Sequence, residues 1–150
     1  SNRYNYSMQT FLPYSDFSKS AKVLDYRRLG KQRVEAMQLV NSTLKLAANP
    51  DSKVGWANHP ARTMWHGYLP ALRLYHNVVI QEWIDRGYNN NMKMYELPDT
   101  IEMPPWMGEG SPVHTSHRSN LLRKDPAYYS QFGWDESPNI EYYWPVRAIM

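Results

Sequence analysis

Met64–Gly87, MWHGYLPALRLYHNVVIQEWIDRG, is the stretch whose reading decides the fold class. Its apolar residues Met64, Trp65, Leu69, Leu72, Tyr75, Val79 and Trp83 recur mainly three and four apart, the period of one helix face. Pro70 interrupts the stripe. A proline inside a helix removes a backbone hydrogen bond and clashes with the preceding turn, so the spacing predicts a kink or two abutting helices. Gly87, followed by Asn89–Asn91, is the expected stop. Trp65 and His76 fall on or near the stripe and are expected in the core.

The same reading extends in both directions. Upstream, Ser18 is the expected cap of a helix marked by Ala21, Leu24 and Leu29, with Phe17 as its staple and Gly30 breaking or weakening it. A second helix follows on Val34, Met37, Val40, Leu44 and Ala47 and ends before Asn49-Pro50. Pro60 suits the first position of another, after a loop from Asp51. Downstream, residues 92–113 are rich in proline and lack the alternation of a strand, which predicts a long ordered loop. Ser116 is the expected cap of a short helix through Arg123, and Asp125-Pro126 opens another that Gly133 closes. The tail Tyr142-Tyr143-Trp144-Pro145 is too aromatic to float free and is expected to pack back on the body. The predicted architecture is all-α: a compact single-domain helical bundle with long irregular loops over residues 8–150. Residues 1–7 read as a natural arm or a tag remnant.

Composition narrows the function. A chain of 150 residues is enough for one domain with one core. The absence of cysteine excludes disulfides, cysteine zinc sites, iron–sulfur clusters and a thiol nucleophile. No apolar run approaches the roughly 20 residues of a membrane span, and the start does not resemble a secretion signal. The expectation is therefore a soluble, cytoplasmic protein with no membrane partner. Net charge is only +3, but it is unevenly placed. From Lys19 to Glu35 the cations Lys19, Lys22, Arg27, Arg28, Lys31 and Arg33 face two acids, whereas Tyr95–Glu109 holds acids and no base. That asymmetry describes a basic face suited to polyanions, although a solvated helix would carry similar charges.

The segment His114–Trp134, HTSHRSNLLRKDPAYYSQFGW, combines histidines, Arg118, Arg123, Lys124, Asn120 and an aromatic tail. Cations suit phosphate, Asn and His suit polar edges, and Tyr and Trp suit stacking, so the expected partner is DNA or a nucleotide. Asn58 and Asn120 are the candidates for reading a base edge, with helix capping as the alternative, favoured for Asn58. Trp56 and Tyr129 are the preferred stacking rings.

Catalysis points to the first basic run. Arg27, Lys31 and Glu35 are spaced four apart and share a helix face, so a phosphate-binding cation pair leads to a carboxylate. Glu35 can activate water or stabilise positive charge; its bland alternative is a surface ion pair with Lys31. Lys31, with Arg27 and Arg28 nearby, is also a candidate imine-forming amine. His59 and His66 lie seven apart and His114 and His117 three apart, but neither pair has an Asp or Glu within its motif. No metal and no cofactor are expected, and His59, His114 and His117 are assigned to phosphate or base.

Several motifs together carry a resemblance: Asp25-Tyr26-Arg27-Arg28-Leu29, the helix ending Glu82-Trp83-Ile84-Asp85-Arg86-Gly87-Tyr88, His114, and Pro126-Ala127-Tyr128-Tyr129 to Gly133. In their order and spacing, from roughly Leu12 to Trp134, they resemble the phage pyrimidine-dimer DNA glycosylase family typified by endonuclease V. Bacterial and phage homologues share GKQRVEA (Gly30–Ala36), GWANHPA (Gly55–Ala61), MWHGY (Met64–Tyr68) and SHRSNLLRKDP (Ser116–Pro126). The resemblance implies a helical protein that binds damaged duplex DNA, cleaves the glycosidic bond at a pyrimidine dimer and breaks the strand by β-elimination. It also implies an amino-terminal amine as nucleophile and an assisting glutamate flanked by arginines. Two departures stand out. Arg28 occupies the register of that glutamate, and Met8 as a start would be followed by Gln9, which favours retention of the methionine.

Three functions follow for test. The first is an N-glycosylase for damaged or modified pyrimidines in DNA, with or without lyase activity at abasic sites. The others are a non-catalytic binder that sequesters DNA or nucleotides, and a hydrolase or transferase of free nucleosides with Glu35 as base.

Overall fold

The computed structural model describes residues 8–55 and 57–145. Asp16, not Ser18, caps the first helix, α1 (Phe17–Val23), by accepting a hydrogen bond from the Lys19 N–H at 2.8 Å. Ser18 sits exposed inside the first turn instead. The chain then breaks at Leu24-Asp25, earlier than Gly30, because extended Asp25 caps the next helix, α2 (Tyr26–Ala48), through the Arg28 N–H at 3.3 Å. Gly30 does not break the helix. It lies within α2 against Trp83, where an added Cβ would stand 2.9 Å from the indole ring.

Pro60 opens α3 (Pro60–Thr63), whose cap is His59: its Nδ1 accepts from the Ala61 N–H at 2.9 Å. Neither outcome expected at Pro70 forms: residues 64–68 are a non-helical turn segment after α3, and the proline falls in the first turn of the next helix. α4 (Leu69–Asp85) starts just before the proline, where a missing N–H costs nothing. Gly67 turns the chain into it at φ +84°, and Gly87 ends it at φ +90°. The long loop follows as expected and is pinned to the helices. The Asn77 side chain exchanges two hydrogen bonds with the Tyr95 backbone, at 2.8 and 2.9 Å, and Trp106 Nε1 donates to Met64 O at 2.9 Å. α5 (Pro112–Lys124) begins one turn before the expected Ser116, because Ser111-Pro112 supplies both the cap and the preset first residue. Asp125 caps α6 (Pro126–Tyr129), a 3-10 turn (Ser130–Phe132) extends it, and Gly133 closes it at φ +71°.

The architecture is all-α, with no strand among the described residues. α2 packs chiefly on α4, and α1 packs on α4 as well. Leu29, Ala36, Leu39, Val40, Leu72, Tyr75 and Val79 are buried, as are Trp65 and His76. The buried face of α2 is not the one its apolar residues predict: Val34 and Leu44 are exposed, while Gln32, Glu35 and Ser42 are buried.

Ser42 donates to Gly55 O at 3.3 Å, and for Gln32 and Glu35 the reason lies in residues 8–13, a buried irregular segment. A buried irregular backbone cannot satisfy its own polar groups, so side chains must do it. Gln32 accepts from the Phe11 N–H at 2.9 Å and donates to Gln9 O at 2.8 Å. His117 Nδ1 accepts from the Leu12 N–H at 2.8 Å, and His114 Nδ1 donates to Leu12 O at 2.8 Å. Tyr75 donates to Phe11 O at 3.0 Å and Arg118 to Pro13 O at 2.7 Å. Polar residues on three helices thus turn inward to hold one strand of chain. The aromatic tail also packs back as expected, with Tyr142 against His117 and Trp144 against His59.

Candidate active site

The inner face of α2 and the buried segment meet at a cavity of about 350 Å³. Its walls include Met8, Gln9, Asp25, Arg27, Arg28, Lys31 and Glu35 from one side, and Lys124, Asp125 and Tyr142 from the other. This is near the lower end of the roughly 300–1,000 Å³ typical of small-molecule pockets. It suits one nucleotide rather than a duplex.

Glu35 is the buried carboxylate of this cavity, 6 % exposed. Gln32 Nε2 donates to its Oε1 at 3.2 Å. Burial pushes its pKa up to about 7, against the opposing charge of Lys31, the Gln32 and Gln9 hydrogen bonds and the charge of Lys124. The bland alternative, a surface ion pair with Lys31, is not what forms: among the described residues the ion pairs are Asp25–Arg28, Glu82–Arg86 and Arg118–Glu136. A carboxyl group that titrates near neutrality in a cleft can hold or release a proton at working pH.

Cations surround it. Arg27 and Lys31 are exposed at the rim. Arg28 pairs with Asp25 at 3.0 Å, so its guanidinium is oriented rather than free. Tyr129 braces that pair, donating to Asp25 Oδ1 at 2.5 Å and accepting from the Asp25 N–H at 3.1 Å. Burial raises the Asp25 carboxyl, yet the Tyr129 and Arg28 hydrogen bonds and the Arg28 charge outweigh it and hold the pKa below the ordinary value. Lys124, at the end of α5, is lowered from the ordinary lysine value by desolvation and by the charges of Arg28, Arg123 and Lys31, with Glu35 acting in the opposite sense. Tyr142 closes the far wall, its hydroxyl pushed up to about 12 chiefly by burial.

Of the residues singled out from sequence, Arg27, Arg28, Lys31, Glu35 and Lys124 come together here. The others stand elsewhere. His114 and His117 are buried on segment 8–13; His117 is lowered to about 3 by burial, then by the His114 charge. Asn120 donates to Ser116 O and Ile140 O. Arg118 grips Glu136 with two nitrogens, at 2.9 and 2.6 Å, and Arg123 donates to Pro138 O. His59 is a buried cap, Asn58 is exposed beside it, and Tyr129 is a buried brace rather than an open ring. Trp56 lies outside the described residues. Sequence reading missed Met8, Gln9, Asp25, Asp125 and Tyr142 as cavity residues. Asp25 and Asp125 carried a signal, each as an N-cap beside basic residues; the other three reach the cavity through long-range folding.

Comparison with known proteins gives one match. A family model described as pyrimidine dimer DNA glycosylase matches residues 8–96, which include segment 8–13, α1 to α4 and the Glu35 wall of the cavity. No curated protein and no solved structure matches the chain.

Proposed function

Because the chain belongs to the pyrimidine dimer DNA glycosylase family, we propose that its cavity cleaves the N-glycosidic bond of a damaged or modified pyrimidine in duplex DNA. The observation that carries this reading is Glu35: a buried carboxyl group with a pKa of about 7, ringed by Arg27, Arg28, Lys31 and Lys124 in a space the size of one nucleotide. The exposed cations hold the backbone phosphates, and a single unit of the strand leaves the stack to enter.

As the C1′–N bond breaks, its electron pair leaves with the base and positive charge develops on the sugar. Ionised Glu35 stabilises that charge and takes the proton of the water that attacks C1′. Arg28, held by Asp25 and Tyr129, presents a fixed cation to a neighbouring phosphate. Lys31 is the amine proposed for the strand-breaking step, through an imine to the opened sugar. The Lys31 amine condenses with the C1′ aldehyde with loss of water; Glu35, its proton passed to the released base, takes the C2′ proton as the C3′–O bond breaks and the 3′ phosphate leaves, and water then hydrolyses the imine.

A labelled duplex with one cyclobutane pyrimidine dimer tests the reading, with and without borohydride. An alkali-labile strand break at the dimer with the native chain, the freed pyrimidine being recovered once the dimer is photoreversed, and loss of about 100-fold or more in Glu35→Gln, with DNA binding retained, is the expected result. Binding with no alkali-labile break in the native chain would refute it and favour a sequestering protein. Trapping of a covalent adduct, lost in Lys31→Ala, tests the lyase step separately.

A further inference from the structure

Residues 136–145 cross α5 without helix or strand of their own, and α5 supplies the hydrogen bonds that their backbone lacks. Arg118 grips Glu136, and Ser119 Oγ donates to Ser137 O and accepts from the Ile140 N–H at 2.9 Å. Asn120 donates to Ile140 O at 3.1 Å and Arg123 to Pro138 O at 2.9 Å, while Ser116 Oγ accepts from the Tyr143 N–H at 3.1 Å. Ser116, Ser119 and Asn120 are buried, so the interior face of the helix is committed to holding one strap.

What the strap carries inward is Tyr142. Its ring stands edge-on to His117, with centroids 5.5 Å apart, and leans on Trp144, which packs edge-on to His59 at 5.9 Å. Its hydroxyl hydrogen-bonds the Gln9 side chain, and it lines the cavity together with Glu35. Gln9 links the two. Its main chain hydrogen-bonds Glu35, and its carbonyl accepts at 2.8 Å from Gln32 Nε2, which also donates to Glu35. We infer that residues 136–145 are a clasped strap that sets Tyr142 as a positioning residue for Glu35, closing water out of that wall of the cavity and holding Gln9 against the carboxyl group. The inference rests on the reading that Glu35 acts in this cavity, and it gives the polar run from Ser116 to Arg123 a task that involves no contact with DNA.

The neighbours of Glu35 set the sign of the effect. Lys31 of α2 and Lys124 at the end of α5 both favour its ionised form, and burial opposes them. Tyr75 of α4 and Tyr142 also interact with it, and Asp25, Arg27, Arg28 and Asp125 complete the charged lining. Opening the strap admits water and leaves both lysines in place, so Glu35 then ionises at lower pH.

Carbon-13 NMR titration of the Glu35 carboxyl group tests this, its resonance identified by its loss in Glu35→Gln. The native chain and Tyr142→Phe, which keeps the ring, are expected to titrate at about 7. Tyr142→Ala is expected to titrate lower by about one pH unit or more. Ser119→Ala, outside the cavity, loosens only the strap and is expected to shift the titration in the same direction, which keeps the test open if Tyr142→Ala does not fold. A Glu35 titration unchanged from native in either variant would overturn the inference. On the dimer duplex at pH 8, Tyr142→Ala should form the alkali-labile break about tenfold more slowly, and an unchanged rate would refute the positioning. The titration needs no substrate, so the two readings fail separately. If the native chain makes no break yet the titration depends on Tyr142 and Ser119, the strap stands and the glycosylase reading falls. If breaks form and the titration ignores both residues, only the strap falls.

Discussion

Replacing Glu35 by glutamine should make the protein more stable at pH 8 and leave it nearly unchanged at pH 4. Burial raises the Glu35 pKa from the ordinary 4.5 to about 7, so between those values the folded chain holds a proton that the unfolded chain has released. Stability then falls as pH rises through this window. At about 1.36 kcal/mol per pH unit, ionised Glu35 costs the fold about 3 kcal/mol once the pH is above 7. Glutamine cannot ionise, keeps a carbonyl to accept from Gln32 Nε2, and nearly matches the volume. The difference between variant and native chain isolates this one group from every other titration. Urea unfolding at a series of pH values measures it directly. The gain at pH 8 corresponds to a rise of about 6 to 12 °C in Tm for a domain of this size. A gap of the same size at pH 4 and pH 8, or a variant less stable than the native chain at pH 8, would refute the desolvation argument. A carboxylate that the fold would do better without is what a functional group, rather than a structural one, looks like.

Other outcomes follow from neighbouring contacts. Gly30→Ala places a methyl group 2.9 Å from the Trp83 ring, which is anchored and cannot swing away. Overpacking should exceed the gain in helix propensity and leave a net loss of about 1 kcal/mol by urea denaturation; a stabilised variant would contradict it. His117→Leu strands the buried Leu12 N–H and should cost about 1–3 kcal/mol at pH 7. Because folded His117 is lowered to about 3 while the unfolded residue titrates near 6.5, the native chain should lose stability as pH drops below 6.5, and the variant should lose less. Identical acid profiles would exclude that role. Arg27→Ala and Lys31→Ala should each reduce the slope of log affinity for duplex DNA against log salt by about 0.9, and unchanged slopes would remove these residues from the phosphate contacts. Tyr129→Phe removes the donor to Asp25 and should cost about 1–2 kcal/mol while weakening the hold on Arg28. If both stability and DNA affinity stay native, the brace is idle.

Much of the chain could be read without a structure, because the signals are local. The α4 stripe, the start at Pro60, the stop at Gly87, the Asp125-Pro126 opening and the closure at Gly133 each depend on residues a few positions apart. The Arg27, Lys31 and Glu35 alignment is of the same kind, since helix geometry alone puts them on one face. What sequence could not assign was the direction in which a polar residue serves. His114, His117, Arg118 and Asn120 look like a ligand surface in one dimension. In the fold, the first three hold segment 8–13 and Asn120 ties α5 to Ile140. A buried irregular segment must borrow its hydrogen bonds from distant helices, and nothing in the local pattern announces that need. The same segment turns Gln32 and Glu35 inward, brings the Gln9 backbone to Glu35 and, by burying that carboxyl group, raises its pKa. The start of α3, the stop of α4, the opening and closure of α6 and the alignment of Arg27, Lys31 and Glu35 followed from short-range spacing; the inward side of α2 and the burial that raises the Glu35 pKa came from contacts across the whole chain.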